Sequence, residues 1–195
     1  MNSFNDLTNF YVIGISYKNA DLYTRGRFNL SRPQKIKILE KAKSLGISEI
    51  LINNTCNRTE VYSFAKSPSV LVNLLCEESN GNHKTFENLG YIFENTEAIN
   101  HIFNVGTGLD SQILGDFEII GQLKNSFNLS KDNQLIGSFM ERLTNSVIQA
   151  SKRIKTETKI SSGATSVAYA AVQFIINEVD DVSNKNVLLI GTGKI

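Results

Sequence analysis

Cys56 is the residue whose type and setting best suit covalent chemistry. It lies in the polar segment Asn54-Thr-Cys-Asn-Arg58, between two β-rich runs. A cysteine reacts as its thiolate, which a neighbouring guanidinium stabilises, and a connection at a strand end leaves the sulfur accessible. From these residues alone, an ordinary semi-buried thiol is the alternative. Cys76, beside Leu74 and Leu75 on an apolar helix, is predicted to be structural.

Other groups in the chain could hold or move a proton. His101 lies at the edge of the apolar face of a predicted helix. It is either a packed histidine or a general acid or base that faces Cys56. Asp116 and Glu118 bracket a helix start. There Asp116 suits an N-cap, and the helix dipole favours acidic residues in the first turn.

The remaining ligand-type residues do not predict a metal site. Zinc sites need close Cys or His pairs, and no such pair occurs among Cys56, Cys76, His83 and His101. A basic run near the end of a late helix is either a solvated helix end or a contact for phosphates. It consists of Lys152, Arg153, Lys155 and Lys159.

Composition bounds the class of protein. The chain has 195 residues, a formal net charge of +1, 41% hydrophobic and 20% charged residues. These values predict a globular protein and exclude long disorder and a strongly cationic binder. Two cysteines cannot form a disulfide scaffold, and the longest apolar stretch, 168–176, is too short to span a bilayer. We therefore expect a soluble, cytoplasmic protein with no leader and no membrane association.

The elements that must position these residues follow an α+β pattern. Strand signals occur at 10–16, 48–53, 59–64 and 90–93, with a polar loop over 18–27. Helices begin at the Ser31-Arg-Pro33 cap and at Ser69, and Gly46 stops the first. The order βαββαβ predicts a ferredoxin-like sandwich. Appended helices are predicted at 95–105, 117–127, 135–155 and 164–179, with a linker over 106–115.

The last residues carry part of a nucleotide-binding pattern. A buried-strand run, Val187-Leu-Leu-Ile190, leads into Gly191-Thr-Gly193. A dinucleotide fingerprint needs a strand, G-x-G-x-x-G and a following helix. The third glycine would fall at position 196, after the last residue, so the motif is incomplete.

Four ordered blocks resemble the glutamyl-tRNA reductase family. Thr55-Cys-Asn-Arg-Thr-Glu-Val-Tyr62 matches the family's T-C-N-R-T-E block without a mismatch. The other blocks are Gly14-Ile-Ser-Tyr-Lys-Asn-Ala20 with Arg25 and Phe28, Gly108-Leu-Asp-Ser-Gln-Ile-Leu-Gly115 with Ile119-Ile-Gly-Gln122, and Arg153-Ile-Lys-Thr-Glu-Thr158 with Gly163-Ala-Thr-Ser-Val167 and Ala170-Ala-Val172. In this order they are spread over nearly the whole chain.

The resemblance implies a reaction: reduction of glutamyl-tRNA(Glu) by NADPH to glutamate-1-semialdehyde, the first step of five-carbon tetrapyrrole (porphyrin, haem) biosynthesis. It implies that Cys56 forms a glutamyl thioester, that His101 is the active-site histidine and that Arg58 binds the substrate carboxylate, as a guanidinium does well. Glu60 would orient Arg58 or the substrate amino group. The resemblance also implies that Thr55, Asn57, Ser111, Asp116, Glu118 and Gln122 line or adjoin the substrate pocket.

The chain departs from the family pattern at several positions. Tyr17 stands where the family has His, Asp21 where it has Pro, and Gly26 where it has Glu. Asp116 replaces a Glu, and Phe117-Glu118 replaces Pro-Gln. None of these changes touches the Cys56–Arg58 core.

The resemblance divides the chain into a catalytic, glutamyl-tRNA-binding domain (1–160), a connecting helix (161–183) and the first strand and turn of an incomplete NADPH-binding domain (184–195). Gly191 and Gly193 would belong to the cofactor site. This chain would bind substrate and form the thioester without completing the reduction. The longer protein would be a homodimer in contact with the aminomutase that acts next, whereas the fragment would be monomeric or weakly associated. The alternative is a non-catalytic module that binds aminoacyl-tRNA or a protein.

Overall fold

The computed structural model describes residues 8–116, 118–158, 160, 167–188 and 190. Some sequence predictions fall wholly or partly outside these residues. They are the Gly191 and Gly193 turn, Leu189 of the strand before it, the role of Lys159 in the basic run, the helix start at Phe117, and the block at 163–166 with its helix start.

Four strands and eight α-helices make up the described part of the chain. The strands are β1 (Phe10–Ser16), β2 (Ile50–Asn54), β3 (Arg58–Phe64) and β4 (Tyr91–Glu94). The helices are α1 (Leu22–Phe28), α2 (Arg32–Ser44), α3 (Pro68–Glu78), α4 (His83–Leu89), α5 (Asn95–Gly106), α6 (Glu118–Asp132), α7 (Ser138–Glu157) and α8 (Val167–Glu178), followed by a 3-10 turn at Val182–Asn184. The strands form one antiparallel sheet in the order β2-β3-β1-β4. The α+β class predicted from the sequence is thus confirmed.

Two short helices were not predicted. The expected polar loop at 18–27 is wrong from Leu22 onward, because the Asp21 carboxylate accepts a hydrogen bond from the Thr24 amide at 2.7 Å and caps α1. Asn82 caps α4 in the same way, through the Thr85 amide at 2.9 Å. The departure at Asp21 therefore has a structural use.

The C-terminal strand prediction is not confirmed. Val187, Leu188 and Ile190 are highly exposed and lie outside any strand that the structure describes. A strand is stable only when its backbone groups pair with a neighbour.

Both faces of the sheet are covered by helices. Tyr11, Ile13 and Ile15 of β1 face one core, which α2 and α3 complete. Phe10 and Val12 face a second core, built with α5, α6 and α7. Because successive strand residues point to opposite faces, the sheet supplies both cores from one set of strands.

Candidate active site

A charged cluster occupies one end of the sheet face that carries the second core. Arg58, Glu60 and Tyr62 are alternate residues of β3 and therefore share this face. All three are buried, with exposures of 2%, 0% and 0%. Ionised side chains are almost never buried without partners, so their contacts define the site.

Glu60 is the acceptor at the centre of the cluster. Its Oε1 accepts from Arg58 Nη1 at 3.0 Å, Tyr91 Oη at 2.6 Å and His101 Nε2 at 2.7 Å. Its Oε2 accepts from Asn53 Nδ2 at 2.9 Å and Tyr62 Oη at 2.8 Å. Burial alone would raise the pKa of Glu60, but the Arg58 charge and the His101 bond outweigh it and hold that pKa well below its ordinary value. Glu60 is therefore a fixed carboxylate.

Arg58 joins the sheet to the turn after α5. Its Nη2 donates to the backbone carbonyl of Asp110 and lies 3.3 Å from the Asp110 carboxylate. Asp110 also pairs with Lys18 at 2.8 Å. Burial disfavours the charged guanidinium, yet the Glu60 charge more than compensates and raises the Arg58 pKa above its ordinary value. Burial would likewise raise the pKa of Asp110, but Lys18 and Arg58 lower it.

His101 lies between the two carboxylates. Because an ionised carboxylate only accepts, the proton on Nε2 is donated to Glu60. Nδ1 lies 3.8 Å from Asp110 Oδ2. The ring packs against Phe93 and Tyr91, with centroids 4.9 and 5.3 Å apart. These contacts fix the orientation of the ring.

The Cys56 turn is held by hydrogen bonds that leave its thiol exposed. Thr55 Oγ1 accepts from the amides of Asn57 and Arg58, each at 3.2 Å, and so closes the turn. The Asn57 carbonyl accepts from the Tyr17 amide at 2.9 Å. Cys56 is exposed, whereas Cys76 is buried. Burial also raises the pKa of the Cys76 thiol.

The other predicted site residues lie in different settings. Ser111, next to Asp110, has a buried hydroxyl without a hydrogen-bond partner among the described residues. Asp116 Oδ1 accepts from the Glu118 amide at 2.9 Å, two residues further along and at the first residue of α6, and the Glu118 side chain is exposed. Gln122 lines a cavity that also contains Asn54, two residues before Cys56.

Sequence reasoning missed several members of the cluster. Tyr62 could have been found, because it continues the alternation of Arg58 and Glu60. Asn53 could not have been found, because it reaches Glu60 only through the pairing of β2 with β3. Tyr91 could not have been found either, because it lies on a strand 31 residues further along the chain. Asp110 lies in a quoted block, but only the fold brings it to Arg58.

The described residues contain no group of three or more His, Cys, Asp or Glu side chains arranged to hold a metal ion. Within the same ranges, none of the helices is both long and apolar enough to cross a lipid bilayer.

Comparison with known proteins decides the family. A family model described as the N-terminal domain of glutamyl-tRNA(Glu) reductase matches residues 13–158. The chain belongs to the glutamyl-tRNA reductase family. It is 59% identical over 186 residues to a glutamyl-tRNA reductase of Christiangramia forsetii, covering 95% of this chain and 44% of that protein. It is 56% identical over 188 residues to glutamyl-tRNA reductase 2 of Flavobacterium johnsoniae, covering 96% and 43%.

A solved structure agrees with this assignment. Glutamyl-tRNA reductase from Methanopyrus kandleri superimposes with a TM-score of 0.70 at 26% identity, over 95% of this chain and 44% of that one. The chain thus spans less than half the length of these family members.

Proposed function

We propose that this chain carries the acyl-transfer half of glutamyl-tRNA reduction, the step that begins five-carbon tetrapyrrole synthesis. The observation that carries the proposal is an exposed Cys56 thiol on a hydrogen-bonded turn, directly before the buried Arg58–Glu60–His101 cluster. A nucleophile on a hydrogen-bonded turn, two residues before fixed charges in the chain, is suited to attack on an ester.

The step conserves atoms and charge. The Cys56 thiolate attacks the ester carbonyl carbon of glutamyl-tRNA, and a carbon–sulfur bond forms. The bond to the terminal ribose oxygen breaks, and that oxygen takes the proton that the Cys56 thiol had given up to His101. The product is a glutamyl thioester on Cys56 and free tRNA. His101 is the general acid–base group of this proposal, and Glu60 fixes its ring by accepting from Nε2.

Arg58 keeps its proposed role as the group that binds the substrate carboxylate. Both terminal nitrogens bind protein carboxylates or carbonyls, while Nε is buried without a partner among the described residues. The Ser111 hydroxyl is likewise buried without a hydrogen-bond partner among the described residues. Because Arg58 is so deeply buried, substrate binding requires the turn that carries Asp110 and Ser111 to move. Thr55 and Asn57 would shape the approach to the sulfur.

The described residues do not form a dinucleotide site. Reductases of this family use NADPH, but Gly191 and Gly193 lie outside the described residues, and Val187, Leu188 and Ile190 before them are exposed. No step through NADPH is therefore assigned to this chain, and aldehyde formation is assigned to the longer protein. The ferredoxin-like assignment is likewise part of the proposal, supported by the strand order β2-β3-β1-β4. The homodimer, the aminomutase contact and a cytoplasmic location also belong to it.

Mass spectrometry of the chain after incubation with glutamyl-tRNA tests this function. We expect a mass gain of one glutamyl group on Cys56, reversed by hydroxylamine. Cys56→Ser should abolish the gain, and Cys76→Ser should retain most of it. Equal loss in both variants contradicts the assignment. Retention of tRNA without any Cys56 adduct favours a binding module instead.

A further inference from the structure

A cavity lined mostly by polar and charged residues lies beside the Cys56 turn and outside the Glu60 cluster. Its volume is about 460 Å³, within the range of pockets that bind small ligands. Its lining includes Arg32 and Lys35 of α2 and Gln122 and Asn125 of α6. Asn54, at the end of β2, lies on its wall.

Arg32 and Lys35 are positively charged residues at the N-terminus of α2, where a helix favours negative charge. The N-terminus of a helix carries positive partial charge and favours acidic side chains. The first turn of α2 nevertheless has no acidic residue, and Arg32 and Lys35 both lie at this end. Lys35 is half-buried, and burial lowers its pKa. This arrangement costs stability unless an anion binds there.

The described residues do not neutralise these cations. No carboxylate in the described part of the chain forms an ion pair with Arg32 or Lys35, although Asp132 also lines the cavity. Helix α6 contributes the neutral amides of Gln122 and Asn125 to the same cavity. Two cations and several amide donors are the groups that bind phosphate oxygens.

Asn54 lines this cavity and lies two residues before the proposed nucleophile, Cys56. Its Nδ2 donates to Asn29 Oδ1 at 2.7 Å, and its Oδ1 accepts from the Leu30 amide at 3.0 Å and the Thr59 hydroxyl at 2.8 Å. Two peptide units separate Asn54 from Cys56, which places their Cα atoms at most about 8 Å apart. A ligand in the cavity therefore lies close to the reacting sulfur.

We propose that this cavity binds a phosphodiester group at the 3′ end of the RNA whose esterified ribose reaches Cys56. The inference rests on the proposed function, since it takes glutamyl-tRNA as substrate. Arg32 and Lys35 hold the phosphate, and the amides of α6 complete the contact. The cavity then holds the RNA end against the turn while the thiol attacks.

Binding of uncharged tRNA to the chain, measured at several salt concentrations, tests this site without the chemistry. The Arg32→Gln/Lys35→Gln double variant should weaken binding about ten-fold and reduce the slope of log Kd against log salt by about 1 to 2. Lys37→Gln, an exposed cation on the same helix, should change Kd less than about two-fold. Lys35→Arg should retain near-normal affinity.

The stability of the variants separates binding from folding. Because the cations oppose the helix dipole, the double variant should melt at the same temperature as the parent chain or higher. Inorganic phosphate should compete with tRNA for the parent chain, and this competition should disappear in the double variant. Unchanged affinity and slope in the double variant, or equal weakening by Lys37→Gln, would overturn the proposal.

Failure of this site and failure of the proposed function can be told apart. Acylation of Cys56 by a simple activated glutamyl ester that lacks RNA does not need the cavity. If that acylation occurs while tRNA binding is absent or insensitive to the double variant, only the cavity proposal fails. If tRNA binding depends on Arg32 and Lys35 but no donor acylates Cys56, the acyl-transfer proposal fails.

Discussion

Gly14 of β1 lies directly opposite Glu60 of β3, and Glu60 uses the space that a side chain at Gly14 would need. A methyl group there would come within 2.9 Å of Glu60 Cγ and 2.8 Å of Tyr91 Oη. Both contacts are shorter than ordinary van der Waals distances. The central carboxylate of the cluster therefore depends on a residue without a side chain in the neighbouring strand.

Gly14→Ala should destabilise the protein by about 1 to 3 kcal/mol, because the methyl group displaces buried atoms in a fully packed region. Urea unfolding followed by circular dichroism measures the change. Gly26→Ala is the matched control, since its added methyl meets no atom within 4 Å. In helix α1 that control should stabilise by about 0.5 to 1 kcal/mol. Equal effects at the two glycines would contradict the close packing over Gly14.

Glu60→Gln should cost about 3 to 5 kcal/mol at neutral pH, because it leaves the buried Arg58 charge without its main partner. The pH dependence should change as well. The folded-state pKa of Glu60 lies well below its ordinary value, so its contribution is complete above about pH 5 and is lost as the pH falls toward the folded-state pKa.

Chemical denaturation between pH 7 and pH 3 measures this difference. The parent chain should lose stability steeply below about pH 5, and the slope should be smaller in Glu60→Gln. Glu87→Gln, at an exposed position of α4, should keep the slope of the parent chain. A parent-like slope in Glu60→Gln would show that this carboxylate does not dominate acid sensitivity.

Tyr91→Phe removes a 2.6 Å hydrogen bond to an ionised carboxylate and keeps the ring that packs against His101. Such bonds contribute more than neutral ones, so we expect a loss of about 1.5 to 3 kcal/mol. Tyr11→Phe removes a 3.1 Å bond to the neutral Asn9 side chain and should cost only about 0.5 to 1.5 kcal/mol. Thermal unfolding of both variants measures the two losses of stability. A larger loss for Tyr11→Phe than for Tyr91→Phe would contradict the prediction.

The two thiols should differ in their reactivity toward iodoacetamide in the folded protein. Cys56 is exposed and should be alkylated rapidly, whereas Cys76 is buried and its raised pKa lowers the thiolate fraction. Peptide mapping over time gives the two rates. In urea the rates should converge, which shows that the fold causes the difference. Comparable rates in buffer would place Cys76 at the surface.

Local pattern was enough to predict most elements of the sheet and of the larger helices. The β1 strand has its predicted bounds, and α2 follows the Ser31-Arg-Pro33 start and the Gly46 stop. Helices α1 and α4 have seven residues each and bury only Phe28 and Phe86, respectively. Such short helices contain too few apolar positions to show a helical period. Their formation depends instead on the side-chain caps at their N-termini.

The cluster was only partly predictable for a different reason. Alternation within β3 places Arg58 and Glu60 on one face, and this can be read from the sequence. Burial of both, and the bond from His101, depend on α5 packing over that face. The turn that brings Asp110 to Arg58 has no periodic pattern, so its contact comes from tertiary structure alone.

Coverage of the sheet on both sides limits how the sequence can vary. Every residue of β1 is buried, and so is every residue of β3 from Arg58 to Ser63. Buried positions make up all of β1 and all but the last residue of β3, so almost every substitution there disturbs packing, the charged cluster or both. We expect neutral drift in this protein to accumulate on the outer faces of its helices and to leave these two strands nearly unchanged.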